Sequence, residues 1–265
     1  VSCVPVVARA SFVALIALVS TGATTRESCP AHFLDGRAPV VVEAKRAAKT
    51  RPLCFKAFAV LHSGVTRTPL WSAQRLTRTS VAAAVAIEGR SDRFHAEKQL
   101  PKAERAELAD YRKSGFDRGH LAPSGDMPSR AADRESFSLA NIVPQARRLN
   151  QGSWARLEDM LRDMALGTGA VDVVTGPLFE GASVGALKGR VLVPTSTWKA
   201  VHVPGRGAAA YVATNEDRPR WRLVSIAEIT RRAGVDPFPS LPPAVKARAI
   251  PLPLPTEQRL ARSTT

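Results

Sequence analysis

Asp117-Arg118-Gly119-His120 puts an acid, a guanidinium and an imidazole within four residues, beside a glycine that permits close backbone approach. An imidazole of reference pKa ~6.5 is neutral and proton-accepting at slightly alkaline pH, so His120 has the chemistry of a general base. The planar fork of Arg118 suits bidentate contact with phosphate. Taken alone, the tetrad is equally a polar turn with a surface histidine. Two later stretches change that reading: Ser138-Leu139-Ala140-Asn141-Ile142-Val143-Pro144-Gln145, and Leu149-Asn150-Gln151-Gly152-Ser153-Trp154-Ala155-Arg156-Leu157-Glu158. Asn150 offers a neutral amide oxygen, a hard donor of the kind Mg²⁺ accepts while keeping several waters.

The three stretches, in this order and spacing, resemble those of the sugar-non-specific DNA/RNA endonucleases, the ββα-metal (His-Me finger) nucleases that include endonuclease G. The resemblance runs from about Cys54 to Pro239. Weaker matches flank it at Gly64-Val65-Thr66-Arg67, Thr175-Gly176-Pro177 and Val193-Pro194-Thr195 before Trp198-Lys199. It implies an α+β fold with a mainly antiparallel central sheet flanked by helices. It also implies metal-dependent hydrolysis of DNA and RNA without sequence preference, leaving 5′-phosphate ends. In this picture His120 is the base and Asn150 the one direct protein ligand of Mg²⁺, with Mn²⁺ a possible substitute. Arg118 and Arg67 follow the charge that develops on the phosphate, although Arg75 and Arg78 compete for the second place. Glu158 and Arg162 belong to the active centre by resemblance, Glu158 toward metal-bound waters and Arg162 toward the phosphate. A plain i,i+4 surface ion pair is the alternative for these two. Asn141 either orients His120 or a water, or caps a buried turn. Asp117 shapes the tetrad rather than binding metal, since a carboxylate there would repel the approaching phosphate.

These residues need elements to hold them. Residues 151–166 have the apolar periodicity of an amphipathic helix, with Leu157, Met160, Leu161 and Met164 on one side. Asn150, Trp154, Glu158 and Arg162, four apart, would then share a stripe. Leu53–Val60 suits a strand, and Val81–Ile87 a strand or a buried helix. Pro101 is placed to open a helix through Tyr111. Short strands are expected at Val171–Thr175, Val191–Val193, Trp198–Val203 and Ala208–Thr214. Ser225 and Glu228 form a capping box for a last helix that Gly234 ends. The organisation expected is an irregular lead-in over 24–50, one nuclease domain over 51–240, and a Pro-rich extended tail over 241–265.

Composition narrows the class. With 45% hydrophobic and 23% charged residues, the chain is globular rather than disordered. An excess of 38 Lys+Arg over 23 Asp+Glu gives a net charge of +15, which favours polyanionic partners. Such a surface is also compatible with mere solubility, with an inactive nucleic-acid-binding protein, or with binding to an anionic surface. Residues 1–23 pair Arg9 with the apolar run Phe12–Val19, and Thr21 and Ala23 follow as small residues. That is the pattern of a secretory signal, too short for a membrane span, with an uncleaved anchor as the alternative. A periplasmic or secreted protein without lasting membrane association is therefore expected, its oligomeric state (monomer or homodimer) open. Cys29 and Cys54 would pair in that compartment and close a loop worth roughly 3 kcal/mol. His32, His62, His95 and His202 lack the spacing of a zinc site.

Overall fold

The computed structural model describes residues 1–2, 29–89 and 93–255. The signal expected over 1–23 and the end of the tail beyond 255 lie outside the described residues, the first two positions apart.

The strands run in chain order as β1 (Val40–Val41), β2 (Thr50–Cys54), β3 (Ala59–Ser63), β4 (Thr68–Thr77), β5 (Asp117–His120), β6 (Ile142–Gln145), β7 (Ala170–Leu178), β8 (Ala186–Leu187), β9 (Val191–Leu192), β10 (Ser196–Val203), β11 (Gly207–Thr214), β12 (Trp221–Val224) and β13 (Val235–Asp236). The α-helices are α1 (Arg78–Val85), α2 (Leu108–Tyr111), α3 (Arg130–Ser136), α4 (Ala155–Thr168), α5 (Ile226–Ala233) and α6 (Pro243–Lys246). Seven strands form one antiparallel sheet in the order β12-β11-β10-β7-β4-β3-β2. Alternate residues of each strand point to opposite faces, so the sheet has two cores. On one face Ala73, Val174, Ala200 and Ala210 pack against Ile226 and Ile229 of α5 and against Phe33 and Phe238. On the other, Leu76, Val173, Val201 and Tyr211 pack against Leu157 and Leu161 of α4.

The second face carries the site. Strands β5 and β6 form a separate antiparallel pair in which Gly119 faces Val143 and His120 faces Ile142. This pair, a π-type turn over Leu149–Trp154 and then α4 make a ββα unit laid on the sheet. The α+β ββα-metal fold expected from the motifs is the fold observed.

Several local expectations are corrected. Leu53–Val60 is not one strand, because Phe55 N donates to the Phe58 carbonyl and closes a hairpin, with the two rings stacked 4.5 Å apart. Within that run Leu53, Phe55, Phe58, Ala59 and Val60 are buried, whereas Cys54 and Lys56 are exposed. Of the two options for Val81–Ile87 the helix holds as far as Val85, in α1, capped reciprocally by Thr77 and Ser80, and Ile87 lies past its end. The helix expected from Pro101 shrinks to α2. Tertiary partners claim the intervening side chains: Glu104 pairs with Arg51, and Arg105 donates to the carbonyls of Glu97 and Leu100. In α5 the Ser225 hydroxyl accepts from Glu228 N and Gly234 closes the helix in the left-handed region, as expected. The Glu228 carboxylate completes no box and turns instead to Arg222 and Arg232.

The ends of the described span also pack. Cys29, Phe33 and Leu34 enter the first core, β1 pairs with β13, and Cys29 and Cys54 are joined in a disulfide with Cα atoms 5.9 Å apart. Leu252 is buried in the second core, Tyr211 donates to the Pro253 carbonyl and Arg156 to that of Pro255. Over 241–255 the tail therefore lies along the body, and the expectation of an extended tail is corrected in part: Pro243–Lys246 form α6, and the chain runs extended only after it, burying Leu252.

Candidate active site

The β5–β6 pair brings Arg118 to a cleft of about 630 Å³ whose wall also includes Asp117, Asn150 and Phe94, and His120 of the same strand packs against the Phe94 ring. The register leaves no room at Gly119. A Cβ there would lie 2.2 Å from Gln145 Oε1 and 2.7 Å from its Cβ, which explains the glycine inside the tetrad.

His120 sits between two phenylalanines, with Phe137 edge-on at 4.8 Å and Phe94 at 5.3 Å between ring centroids. Burial pushes its pKa down to about 4, the Arg118 charge adds to that effect, and Asp133 opposes it. The imidazole is therefore neutral across the physiological range. Its buried Nε2 has no hydrogen-bond partner within the described residues. Phe94 also carries Arg118, whose guanidinium carbon stands 4.1 Å above the ring. One aromatic side chain thus spaces the candidate base from the candidate phosphate contact.

Asn150 lies in the π-type turn rather than on α4. Gly152, at φ −109° and ψ −105°, interrupts regular helix between Asn150 and Trp154, so the expected four-residue stripe begins only at Trp154. Asn150 is fixed by another route. Its Nδ2 donates to Asp117 Oδ2 at 3.0 Å, and Gln151 Nε2 donates to the same oxygen at 2.8 Å. With its nitrogen engaged, Asn150 has Oδ1 left as its acceptor. That arrangement fits a hard divalent cation. Among the described residues, the one cluster of His, Cys or acidic groups with metal-ligand spacing is Cys29, His32 and Cys54, and its sulfurs are in the disulfide.

A buried polar layer supports the unit from below. Lys199 of β10 donates to the Leu121 carbonyl at 3.1 Å and to Thr175 Oγ1 at 2.9 Å, and its Nζ stands 5.2 Å from the Trp154 ring. Glu158 is half-buried beside this layer. Desolvation pushes its pKa up to about 8, with Lys199 opposing the rise and Asp126 adding to it. Asp126 accepts from Arg162 at 2.7 Å and from Gln74 of β4 at 2.6 Å, and Arg162 also pairs with Asp159. The Arg162 guanidinium is therefore spent on carboxylates instead of facing the cleft.

Asn141 is buried, and all four of its side-chain bonds are internal. Oδ1 accepts from Ser72 Oγ at 2.8 Å and Ala122 N at 3.0 Å, while Nδ2 donates to the carbonyls of Ala122 at 2.8 Å and Ser136 at 2.9 Å. It ties the chain just after His120 to β4. Arg67 occupies the β3–β4 turn at φ 55°, with Nε on the Ala103 carbonyl at 3.1 Å and Nη1 on the Arg190 carbonyl at 2.8 Å. It does not line the cleft. Arg93 is exposed and directly precedes Phe94. The motif reading overlooked Phe94 and Phe137, and it met Lys199 only in a weak flanking match without giving it a role. Their signals, single aromatics in polar surroundings and a lysine inside an apolar strand, are weak without the fold.

Residues 40–244 match the family of DNA/RNA non-specific endonucleases. The chain belongs to that family. It is 29% identical to a nuclease of Nostoc sp. over 83% of this chain and 84% of that protein. It is 30% identical to a nuclease of Serratia marcescens over 72% of this chain and 76% of that protein. Among solved structures it resembles EndoG in the EndoG/EndoGI complex, with a TM-score of 0.62 and 24% identity over 71% of this chain and 86% of that one. The last likeness concerns the fold. As a non-specific nuclease the protein is a hydrolase with nucleic acid as its substrate class, and the matched span contains the whole ββα unit.

Proposed function

We propose that the protein is an exported, divalent-metal-dependent endonuclease that hydrolyses DNA and RNA, with His120 as general base and Asn150 as metal ligand. The observation that carries this reading is that Arg118 and Asn150 line one cleft, while Phe94 on the same wall touches both Arg118 and the neutral His120. Asn150 would hold a divalent cation such as Mg²⁺, which when bound would supply positive charge to the scissile phosphate and the leaving oxygen. The remaining roles belong to the chain. His120 takes a proton from the attacking water, and its low pKa keeps the imidazole in the accepting form well below pH 7. Arg118, held in place by Phe94, contacts the phosphoryl oxygens where negative charge grows. Asp117 orients the Asn150 amide. Glu158, when ionised, would hold waters at a cation carried by Asn150, and Lys199 opposes its protonation.

Arg67, Arg162 and Asn141 take positioning roles in this reading. Each has its polar atoms committed to carbonyls, carboxylates or backbone amides, so each shapes the site through its neighbours. Export is supported by the composition of residues 1–23 and by the disulfide, and among the described residues no helix is long and apolar enough to cross a membrane.

The test is digestion of supercoiled plasmid and total RNA by the purified chain, with Mg²⁺ or EDTA, alongside His120→Ala and Asn150→Ala. Metal-dependent loss of both substrates, abolished by either substitution, is the expected result. Intact substrates with a persistent gel shift would reassign the protein as a binder without turnover. N-terminal mass analysis of protein recovered from outside the cytoplasm tests export, with cleavage after Ala23 expected.

A further inference from the structure

The catalytic cleft has a neighbour. A second cleft of about 450 Å³ is bounded by Lys188, Val193 and Pro194, and it shares two wall residues with the first, Lys113 and Phe116. Phe116 immediately precedes the Asp117–His120 strand. It is half-buried, packed from behind on the cluster of Tyr111, Leu187 and Val191, and so forms a ridge between the two spaces.

The ridge is rigidly built. Lys113 adopts φ 56° and Gly115 φ 82°, and the Ser114 hydroxyl accepts from Phe116 N at 3.2 Å and donates to the Phe116 carbonyl at 3.4 Å. A lysine in the left-handed region is uncommon, and here it leaves an exposed ammonium group at the crest. Charge on the two walls is one-sided. Arg112, Lys113, Arg118 and Lys188 face one carboxylate, Asp117, which already accepts from Asn150 and Gln151. In the first cleft the Tyr111 hydroxyl is buried without a partner among the described residues. In the second, the Thr195 hydroxyl is spent on the Leu178 carbonyl and on Glu180 N. The second wall is therefore apolar and cationic, without a free side-chain hydroxyl to read a base edge.

We propose that the two clefts are consecutive nucleotide subsites for one single strand of DNA or RNA, with Phe116 the wedge on which bases stack and Lys113 the phosphate contact at the step between them. This rests on the nuclease reading and names how the substrate is gripped beside the reacting phosphate. Stacking on an aromatic face is indifferent to base identity, as non-specific cutting requires. An apolar wedge at a base step also demands unstacking, so a strand that is already single engages more readily than a duplex.

The test separates grip from chemistry. Binding of fluorescein-labelled dT12 is followed by anisotropy in EDTA, where metal-dependent cleavage is silent. Hydrolysis of dT12 and of bis(p-nitrophenyl) phosphate, which has no strand to grip, is followed in Mg²⁺. Phe116→Ala is expected to weaken dT12 binding by about 5- to 150-fold, the range for loss of one base stack. Its kcat/KM on dT12 should fall at least tenfold more than on the small diester, and Phe116→Trp should restore both. Lys113→Ala should flatten the dependence of log Kd on log salt by about 0.7, the share of one single-strand phosphate contact, and Lys113→Arg should retain it. Affinity of Phe116→Ala within twofold of the parent, or equal losses on dT12 and the small diester, would overturn the wedge. If the parent hydrolyses nothing yet binds dT12 through Phe116, the nuclease reading fails and the groove stands.

Discussion

Acidification from pH 7.5 to 5 in EDTA should destabilise the native fold through His120, and the size of the effect follows from where that ring sits. In the unfolded chain a histidine titrates near its reference value of ~6.5. In the fold, burial between Phe94 and Phe137 and the charge of Arg118 hold it down to about 4. A depressed pKa means that the unfolded chain binds the proton more readily. The stability linked to His120 is thus fully present above ~6.5 and is lost as pH falls toward 4. At pH 5 the unfolded imidazole is almost wholly protonated and the folded one mostly neutral, a difference worth about 2 kcal/mol against pH 7.5. Glu158 acts in the opposite sense. Its raised pKa, about 8, means that acidification relieves a cost of burying its charge, so the raw pH profile of stability mixes the two. The clean quantity is the difference between the parent and His120→Gln, which cannot titrate. Urea unfolding at several pH values between 5 and 7.5 should show the parent losing about 2 kcal/mol relative to the variant as pH falls. Parallel profiles would mean that His120 titrates like a solvated histidine, and the argument for a neutral base below pH 6 would collapse. The same low pKa places the acid limb of kcat/KM on a small diester well below 6.5.

Asp117→Ala removes the acceptor that holds the Asn150 amide, and a 10- to 100-fold rise in the Mg²⁺ concentration for half-maximal activity is expected, measured by metal titration at saturating substrate. Arg118→Ala should lower kcat on plasmid by about 100-fold with the fold intact by circular dichroism. Arg67→Ala, whose guanidinium holds the Ala103 and Arg190 carbonyls, should act mainly on the melting temperature; an equal loss of kcat for the two would return Arg67 to the phosphate. Asn141→Ala deletes four internal hydrogen bonds and should cost about 3 kcal/mol or more in urea unfolding. Gly119→Ala should cost about 1–3 kcal/mol, because the new methyl meets Gln145 Cβ, which is anchored to β6 and cannot swing clear.

The reactive side chains were legible because chain order mirrors function in a ββα unit. Asp117–His120, Asn141–Gln145 and Leu149–Glu158 are consecutive pieces of one small structure, so motif spacing carries their proximity. What surrounds them was not legible, for reasons particular to each residue. Phe94 reaches His120 from a segment with no periodicity of its own. Lys199 occupies a strand position that pattern alone assigns to an apolar residue. The π-type turn defeats helical arithmetic, since Gly152 breaks the regular spacing between Asn150 and Trp154 that an uninterrupted helix would keep. Arg67 and Arg162 carry the right charge, but their partners come from the Ala103 and Arg190 carbonyls and from Asp126, none of which is local. A common logic joins these cases. Asn150 is oriented by Asp117, Arg118 rests on Phe94, and the chain after His120 is tied down by Asn141 and Lys199. Each group with chemistry to perform has its unreactive side already committed, and the committing residues sit outside the motif or in its least distinctive positions. A related chain that kept the tetrad and the asparagine but lost Phe94 and Lys199 would keep the signature while the base, the phosphate contact and the metal turn lost their common frame.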